Sequence, residues 1–426
     1  MPHRIRRTAC LIALALLGTV ACGVDDERRT APATSSQPTP TTPSSAPADA
    51  GSTLPPPAPE QQAELDRGLR DAAWANDVAR ADALIAAGAD VNAKDDTQQS
   101  AYLIATSEGF LELLELTLAN GADVASLDRF NGTGLIRAAE RGHAAVVGRL
   151  LRTGVAVNHV NRSGFTALHE AVIYGDGNQR YLDTVRLLVA RGADVALPSA
   201  RDGVAPVDHA RGRGQNAVVA TLTAAHERPA PADPAAELLA AAADGGADRA
   251  VLALRAGADL ESRDERRRTP LLLAVTADRL EVARLLVALG ADPDALDDRH
   301  DTPWLVTGVT GSVPMLEVML QAEPDLTIRN RFGGVSVIPA AERGHADYVR
   351  RVVQTGIDVN HVNDPGWTAL LEAVVYGDGT AAYQEIVRVL LAAGADPAIR
   401  DANGRTALEH AEARGQFAVA EILRGG

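Results

Sequence analysis

The chain has 426 residues, of which 46% are hydrophobic and only 3% aromatic, and its formal net charge is −15. This length is enough for several domains and a large buried core. The negative charge argues against a nucleic-acid-binding surface or a polybasic lipid anchor, because both need a concentrated positive field. Both cysteines, Cys10 and Cys22, lie at the start of the chain. Disulfide frameworks, thiolate metal sites and cysteine nucleophiles are therefore excluded from the rest.

Residues 1–21 are predicted to be a signal peptide. A basic start, Arg4 to Arg7, precedes an apolar run from Leu11 to Leu17 that is too short to span a bilayer permanently. The following Gly-Thr-Val-Ala-Cys resembles the lipobox of bacterial lipoproteins, with Thr19 where leucine is usual. The resemblance implies lipidation of Cys22 and anchoring to the outer face of the cell membrane, or a periplasmic location if the host has an outer membrane. The alternative is a secreted protein cleaved near Ala21.

Residues 22–60 are predicted to be a disordered tether behind the lipidated cysteine. Nine of the 23 prolines fall here, among Thr, Ser and Ala, and large apolar residues are almost absent. Such a segment buries too little surface to offset the entropy of ordering its backbone. We interpret it as a stalk that holds the folded part away from the membrane.

The rest of the chain is repetitive. Gly-Ala-Asp recurs at 88, 121, 192, 257, 290 and 394, and repeat openings are spaced by 33 residues over long stretches, as at Asp95, Asp128 and Asn161. Within the repeats stand sequences such as Gly-Phe-Thr-Ala-Leu-His at 164–169. The pattern resembles the ankyrin repeat. It implies an all-α repeat solenoid in which each repeat has two short helices, the first capped by Thr, the second ended by Gly, and a β-hairpin finger.

Eleven repeats are expected, in two tandem arrays. Array 1 is predicted at 61–225 and array 2 at 237–426, because three prolines interrupt the pattern in a linker at 226–236. A shift of 202 residues aligns 128–194 with 330–396, and 39 of these 67 positions are identical. The arrays are therefore duplicates of one domain. In both, one repeat is five residues longer than the period, between Tyr174 and Tyr181 and between Tyr376 and Tyr383.

The sequence carries no motif that indicates an enzyme, a cofactor site or a metal site. Nucleotide-binding glycine loops and the Gly-x-Ser-x-Gly elbow are missing. The aspartates at 297, 298 and 301 lack the glycine and closing glutamate of a calcium loop. The framework histidines, such as His143, His169 and His345, are expected to bond to the backbone. His159 and His361 are expected to brace the fingers, with ligand contact as the weaker alternative.

The resemblance implies binding through the finger tips and inner helices, which form a concave face. Arginine and aromatic side chains at these positions are those that most often carry binding energy. The candidate binding residues are Arg129, Phe130, Glu140, Arg141, Phe165, Tyr174 and Asp176 in array 1, and Arg331, Phe332, Glu342, Arg343, Trp367, Tyr376 and Asp378 in array 2. The alternative is that Phe130 and Phe332 pack between fingers and that Glu140 and Arg141 pair with neighbours.

The function predicted is that of an extracytoplasmic, lipid-anchored scaffold without catalysis of its own. Its partner is expected to be a protein or an exported peptide, with no nucleic acid and no membrane contact other than the lipid. Two alternatives remain at this stage. One is a binder of cell-wall glycan or a small ligand, since Trp367, Tyr376 and Asp378 share one groove. The other is a hydrolase, which an open groove disfavours because it does little to shift a carboxylate pKa.

Overall fold

The structure is a computed structural model that describes residues 58–425, so the predicted signal peptide, Cys22 and nearly all of the tether lie outside the described residues. Its helices in array 1 are α1 Pro59–Trp74, α2 Val78–Ala86, α3 Ala101–Glu108, α4 Leu111–Ala119, α5 Gly134–Glu140, α6 Ala144–Leu150, α7 Ala167–Ile173, α8 Gln179–Ala190, α9 Pro206–Gly212 and α10 Asn216–Glu227. The helices of array 2 are α11 Pro234–Asp244, α12 Ala247–Arg255, α13 Pro270–Thr276, α14 Leu280–Ala288, α15 Pro303–Thr310, α16 Val313–Leu320, α17 Val337–Glu342, α18 Ala346–Val352, α19 Ala369–Val375, α20 Ala381–Ala392, α21 Ala407–Ala413 and α22 Phe417–Gly425, with a 3₁₀ turn at Val353–Thr355.

These helices form eleven antiparallel pairs, which confirms the solenoid and its repeat number. The first helix of most pairs begins at a Thr whose hydroxyl accepts a hydrogen bond from a backbone N–H one turn on, as at Thr166 and Thr368. The glycine of each Gly-Ala-Asp run has a positive φ, for example 104° at Gly88 and 92° at Gly394. Only glycine adopts that conformation at little cost, so these residues end the second helices as expected.

The fingers between repeats are hydrogen-bonded turns rather than β-hairpins. Within residues 58–425 the only β-pairing found is one isolated bridge between Leu127 and Thr133. The turns are held instead by the Asp or Asn that opens a repeat. The Asp128 carboxylate, for instance, accepts hydrogen bonds from the backbone N–H groups of Phe130 and Gly132, both at 2.8 Å. These side chains bond the backbone N–H groups of the finger that strand pairing would otherwise bond.

The stack of first helices breaks between the two arrays. In array 1 each first helix packs on the next, from α1 through α3, α5 and α7 to α9, and the same holds from α11 to α21 in array 2. Helix α10 ends at Glu227 and α11 begins at Pro234, so the non-helical link, residues 228–233, is shorter than the predicted linker.

The arrays instead pack back to back through their second helices. Helix α8 contacts α12 and α14, and α6 contacts α14. Gly148 on α6 permits this approach, because a Cβ there would stand 2.5 Å from the carbonyl oxygen of Ala288. This interface is formed mainly by second helices, so the first helices of both arrays lie outside it.

Arginines connect the two arrays. Arg186, only 8% exposed, donates from Nε to the carboxylate of Asp248 at 2.9 Å and from Nη1 to Glu281 at 2.7 Å. Arg284 of array 2 donates to Asp183 of array 1 at 2.9 Å. Burial raises the pKa of Asp183 and the charge of Arg284 lowers it, so the pair is partly desolvated. Arginines from both arrays therefore form ion pairs across the interface.

Among the described residues, no helix is both long enough and apolar enough to cross a membrane.

Candidate functional site

The groove of array 1 begins at the finger before α5. The hydrogen bonds from Phe130 and Gly132 to Asp128 hold this finger, and the Phe130 carbonyl accepts a further one from the Arg162 N–H at 2.8 Å. The Phe130 ring is 42% exposed, and the Arg129 guanidinium lies over it, 4.7 Å from its centroid. A stacked arginine and phenylalanine at an ordered tip provide a preformed contact surface.

Tyr174 lies at the centre of this groove. It caps the C-terminus of α7, its side chain is 59% exposed, and it lines three adjacent cavities of about 430, 180 and 440 Å³. Phe130 and Glu140 line the cavity of about 180 Å³, Arg141 lines the first, and Phe165 lines the third. Five of the candidate residues of array 1 are thus brought together.

The five-residue insertion after Tyr174 is fixed to its neighbours on both sides. The Tyr181 hydroxyl donates to the Glu140 carbonyl at 3.2 Å, and the Gln215 amide donates to the carbonyls of Val172 and Gly175 at 2.9 and 2.8 Å. In array 2, Tyr383 and Gln416 repeat these bonds. The insertion is therefore an ordered part of the groove in both arrays.

A buried glutamate lies close to the exposed tyrosine in each array. Glu170 and Glu372 are each 5% exposed, and each accepts a hydrogen bond at Oε1 from an asparagine, Asn161 at 2.6 Å and Asn363 at 2.9 Å. Neither Oε2 has a hydrogen-bond partner. Burial raises the pKa of each carboxyl to about 7. Each is therefore poised to change charge near neutral pH when a ligand brings a charge of its own.

The groove of array 2 has the same plan with a larger aromatic surface. Trp367 replaces Phe165 and meets Tyr376 edge to face, with ring centroids 5.3 Å apart. Tyr376 is 56% exposed and Phe332 is 52% exposed, and Arg331 stacks on Phe332 at 4.6 Å. The pKa of Tyr376 is raised by burial and then by the charges of Glu372 and Glu342, so these side chains are close neighbours.

Several candidate residues are engaged locally. Arg141 pairs with Glu108 at 2.5 Å, and Glu140 accepts from Arg137 at 2.8 Å, as the alternative interpretation had it. Phe165 is only 5% exposed, and Asp176 accepts two hydrogen bonds from Asn178 in its own turn.

The remaining candidates are in array 2. Asp378 accepts a hydrogen bond from the backbone N–H of Thr380, and Arg331 lies 3.3 Å from the carboxylate of Asp301. Arg343 is exposed and forms no ion pair within the described range. Phe130, Tyr174, Phe332 and Tyr376 are therefore the candidates whose side chains are most available to a partner.

Four of the histidines contact backbone carbonyls of a neighbouring repeat as predicted, whereas His169 engages Thr166 in its own helix cap. Nε2 of His143 lies 3.1 Å from the carbonyl oxygen of Ser107, and that of His345 3.1 Å from the carbonyl of Val309. His159 and His361 reach finger carbonyls at 2.7 and 2.6 Å, so the bracing role is confirmed. From residue 58 to residue 425, no group of three or more metal-ligating side chains is placed to hold a metal ion.

Comparison with known proteins agrees with this architecture. A family model described as "Ankyrin repeats (3 copies)" matches residues 102–199, 307–401 and 337–425, and a single-repeat model matches 266–298. The chain belongs to the ankyrin-repeat family. Proteins of this family typically mediate protein–protein interaction, on a fold that is a non-catalytic scaffold type.

One bacterial relative of this ankyrin-repeat protein has about the length of one array. The ankyrin repeat protein YahD of Escherichia coli (strain K12) is 37% identical over 189 residues, which cover 94% of that protein and 44% of this chain. A crystal structure of an ankyrin repeat domain from Acinetobacter baumannii AYE is 41% identical, with a TM-score of 0.42, and the match covers 96% of it and 44% of this chain. The p105 subunit of nuclear factor NF-kappa-B from Rattus norvegicus is 33% identical over 116 residues, 26% of this chain and 11% of that protein.

The sequence interpretation missed the residues beneath the groove surface. Arg137, Asn161 and Glu170 were not singled out, although Asn161 and Glu170 recur unchanged as Asn363 and Glu372 in the duplicate array. That identity between the two arrays was the available signal.

Proposed function

We propose that the protein is an extracytoplasmic, lipid-anchored scaffold that binds other proteins or exported peptides through the concave faces of its two arrays. The observation that carries this proposal is the duplicated groove, with exposed Phe130 and Tyr174 in array 1 and Phe332 and Tyr376 in array 2. Exposed aromatic side chains on an ordered surface, each beside an arginine or a carboxylate, are typical of binding surfaces.

The packing of the arrays favours a bivalent scaffold. Because the arrays pack on each other through their second helices, the fingers and first helices that carry the candidate residues stay free in both arrays, and each groove has room for its own partner. The contacts of Arg186 and Arg284 hold this arrangement, so both faces are presented at once. Such a scaffold joins two partner molecules, and its avidity for a dimeric or repetitive partner exceeds that of one groove.

The anchor rests on the sequence of the leader alone. The apolar run, the Gly-Thr-Val-Ala-Cys sequence and the proline-rich segment together support export, lipidation at Cys22 and a stalk. Metabolic labelling with an alkyne fatty acid tests this: the parent protein incorporates the label, and the Cys22→Ser variant does not. A labelled Cys22→Ser variant or an unlabelled parent would contradict the anchor.

The proposal includes no catalysis of its own. Two buried carboxylates, Asp128 and Glu170, do line one cavity in array 1, as a hydrolase would require. However, Asp128 is committed to the finger backbone, and its counterpart in array 2 is Asn330. The acid pair is therefore not part of what the two grooves share, whereas the exposed aromatic residues are.

The test is capture from envelope and secreted fractions of the native host. The full-length protein is crosslinked to bound proteins, which are identified by mass spectrometry. A variant with Phe130→Ala, Tyr174→Ala, Phe332→Ala and Tyr376→Ala is compared with a control, Phe417→Ala, which removes an aromatic residue 75% exposed on the second helix of the last repeat.

Proteins captured by the parent and the control, and lost in the groove variant, would support the proposal. Equal capture by all three proteins would exclude the grooves. Binding to purified wall material in place of proteins would favour the glycan alternative, for which the Trp367–Tyr376 pair offers a platform.

A further inference from the structure

The two grooves differ in one internal cation. In array 1, Arg137 donates from Nη1 to the Glu140 carboxylate at 2.8 Å and has Nε 3.4 Å from an oxygen of Asp128. All three side chains line the same cavity as the buried Glu170. The guanidinium of Arg137 thus offsets one of the three acidic charges from within the cavity.

Array 2 keeps the glutamates of this cluster and lacks the cation. The residue 202 positions after Arg137 is Pro339, which has no charge. Glu342 and Glu372 correspond to Glu140 and Glu170, and Glu342 forms no ion pair with any residue between 58 and 425. The buried Oε2 of Glu372 has no hydrogen-bond partner.

Within residues 58–425, no neighbouring basic side chain takes the place of Arg137. Asn330 replaces Asp128, so the formal charge of the cluster is the same in both arrays, but only array 1 has a cation within it. Arg343, the residue after Glu342, is exposed and has no ion pair among the described residues. The pKa of Glu372 is raised by burial and by the like charge of Glu342, and no basic side chain acts to lower it.

Two aromatic rings stand beside these carboxylates. Trp367 and Tyr376 are 5.3 Å apart between ring centroids, and Tyr376 is 56% exposed to the groove. Aromatic faces attract cations electrostatically, and a planar guanidinium both stacks on such faces and donates to carboxylates in fixed directions. The two acids and two rings are therefore suited to a guanidinium better than to a compact ammonium.

We propose that the pocket formed by Glu342, Trp367, Glu372 and Tyr376 binds an arginine side chain of the partner protein, in the place that Arg137 fills in array 1. This inference rests on the proposed protein-binding function and names the chemistry that one groove recognises. It also makes the two grooves different: array 1 has its own guanidinium, and array 2 takes one from the partner.

The probe is a blocked pentapeptide, acetyl-Gly-Ser-Arg-Ser-Gly-amide, titrated calorimetrically into the full-length protein. Its control contains citrulline in place of arginine, which keeps the shape and removes the charge. Binding of the arginine peptide is expected to be tighter by about tenfold, as for one charge-assisted hydrogen-bonded pair. Glu372→Gln is expected to abolish that preference.

A second pair of variants tests the site without removing any of its groups. Pro339→Arg places a guanidinium where array 1 has one, and the helix at this position already tolerates arginine in array 1. It should fill the pocket and weaken binding of the arginine peptide to the level of the citrulline peptide. Pro339→Ala changes the backbone in the same way without a charge and should bind as the parent does.

Equal binding of the two peptides by the parent, or an unchanged preference in Pro339→Arg, would overturn the inference. If host proteins are still captured through the grooves in that case, the scaffold function stands and only the arginine specificity fails. If the peptides behave as expected and no host protein is captured, the pocket stands and the scaffold function fails.

Discussion

Replacing Glu372 by Gln is expected to stabilise the protein at pH 8 and to change little at pH 5. The carboxyl is 5% exposed, and its pKa is raised to about 7 by burial and by the charge of Glu342. In the unfolded chain it ionises near its ordinary value of 4.5. Between these two values the folded state binds more protons than the unfolded state, so the free energy of unfolding falls as pH rises.

The magnitude follows from the size of the shift. Each pKa unit corresponds to about 1.4 kcal/mol, so ionising Glu372 in the folded protein costs roughly 3 kcal/mol of stability by pH 8. Glutamine keeps an oxygen for the hydrogen bond from Asn363 and carries no charge at any pH. The stability of Glu372→Gln relative to the parent should therefore rise by about 2–3 kcal/mol between pH 5 and pH 8.

Urea unfolding at several pH values measures this difference. Two of the three tryptophans, Trp304 and Trp367, lie in array 2, and a Trp74→Phe background removes the emission of array 1. Subtracting the free energy of unfolding of the parent from that of the variant at each pH cancels the contributions of titratable groups that both proteins share. Glu421→Gln, at an exposed glutamate of the last helix, is the control and should show no pH-dependent difference. A difference for Glu372→Gln that is also flat from pH 5 to 8 would refute the assignment of a buried, raised-pKa carboxyl.

Three further predictions concern the arrangement of the arrays and one strained turn. Arg186→Ala should lower the free energy of unfolding in urea by about 2 kcal/mol, because two acidic side chains lose their ion pair. Arg388→Ala, at the exposed counterpart in array 2, should cost far less, and equal effects would contradict the role of the interface. Gly148→Arg should separate the arrays, because the Ala288 carbonyl occupies the space that the new side chain would need. Small-angle X-ray scattering should then give a larger radius of gyration than for the parent or Arg388→Ala. An unchanged radius would show that the arrays accommodate the side chain. Arg267→Gly should raise the free energy of unfolding by about 0.5–1 kcal/mol, because Arg267 has a φ of 59°, which glycine adopts without strain. A lower urea midpoint for the variant would contradict this prediction.

The local architecture could be predicted from the sequence because short-range sequence patterns specify it. The 33-residue spacing, a Thr at the start of first helices and a Gly after second helices each act within a few residues. They predicted the eleven helix pairs and the left-handed glycines that the structure shows. The prediction of β-hairpin fingers was wrong, because side chains such as Asp128 hold the turns and only one isolated β-bridge forms in the described part of the chain.

The groove was predicted in part. Phe130, Glu140 and Tyr174 do line one cavity, because the repeat places the finger tips and the ends of first helices on one face. The burial of Phe165 and the identity of Glu108 as the acid that pairs with Arg141 were beyond the pattern, because both depend on which side chain the neighbouring repeat supplies.

The sequence by itself determined the repeat, its number and the duplication of one domain. Only the tertiary structure decided that the arrays pack back to back, with Arg186 meeting Glu281 across 95 residues of sequence and Gly148 meeting Ala288. The physical reason is that repeat stacking is a nearest-neighbour interaction, which a periodic pattern encodes directly. Contacts between the surfaces of two folded arrays depend on the shape and charge of side chains at positions that the 33-residue repeat pattern does not constrain.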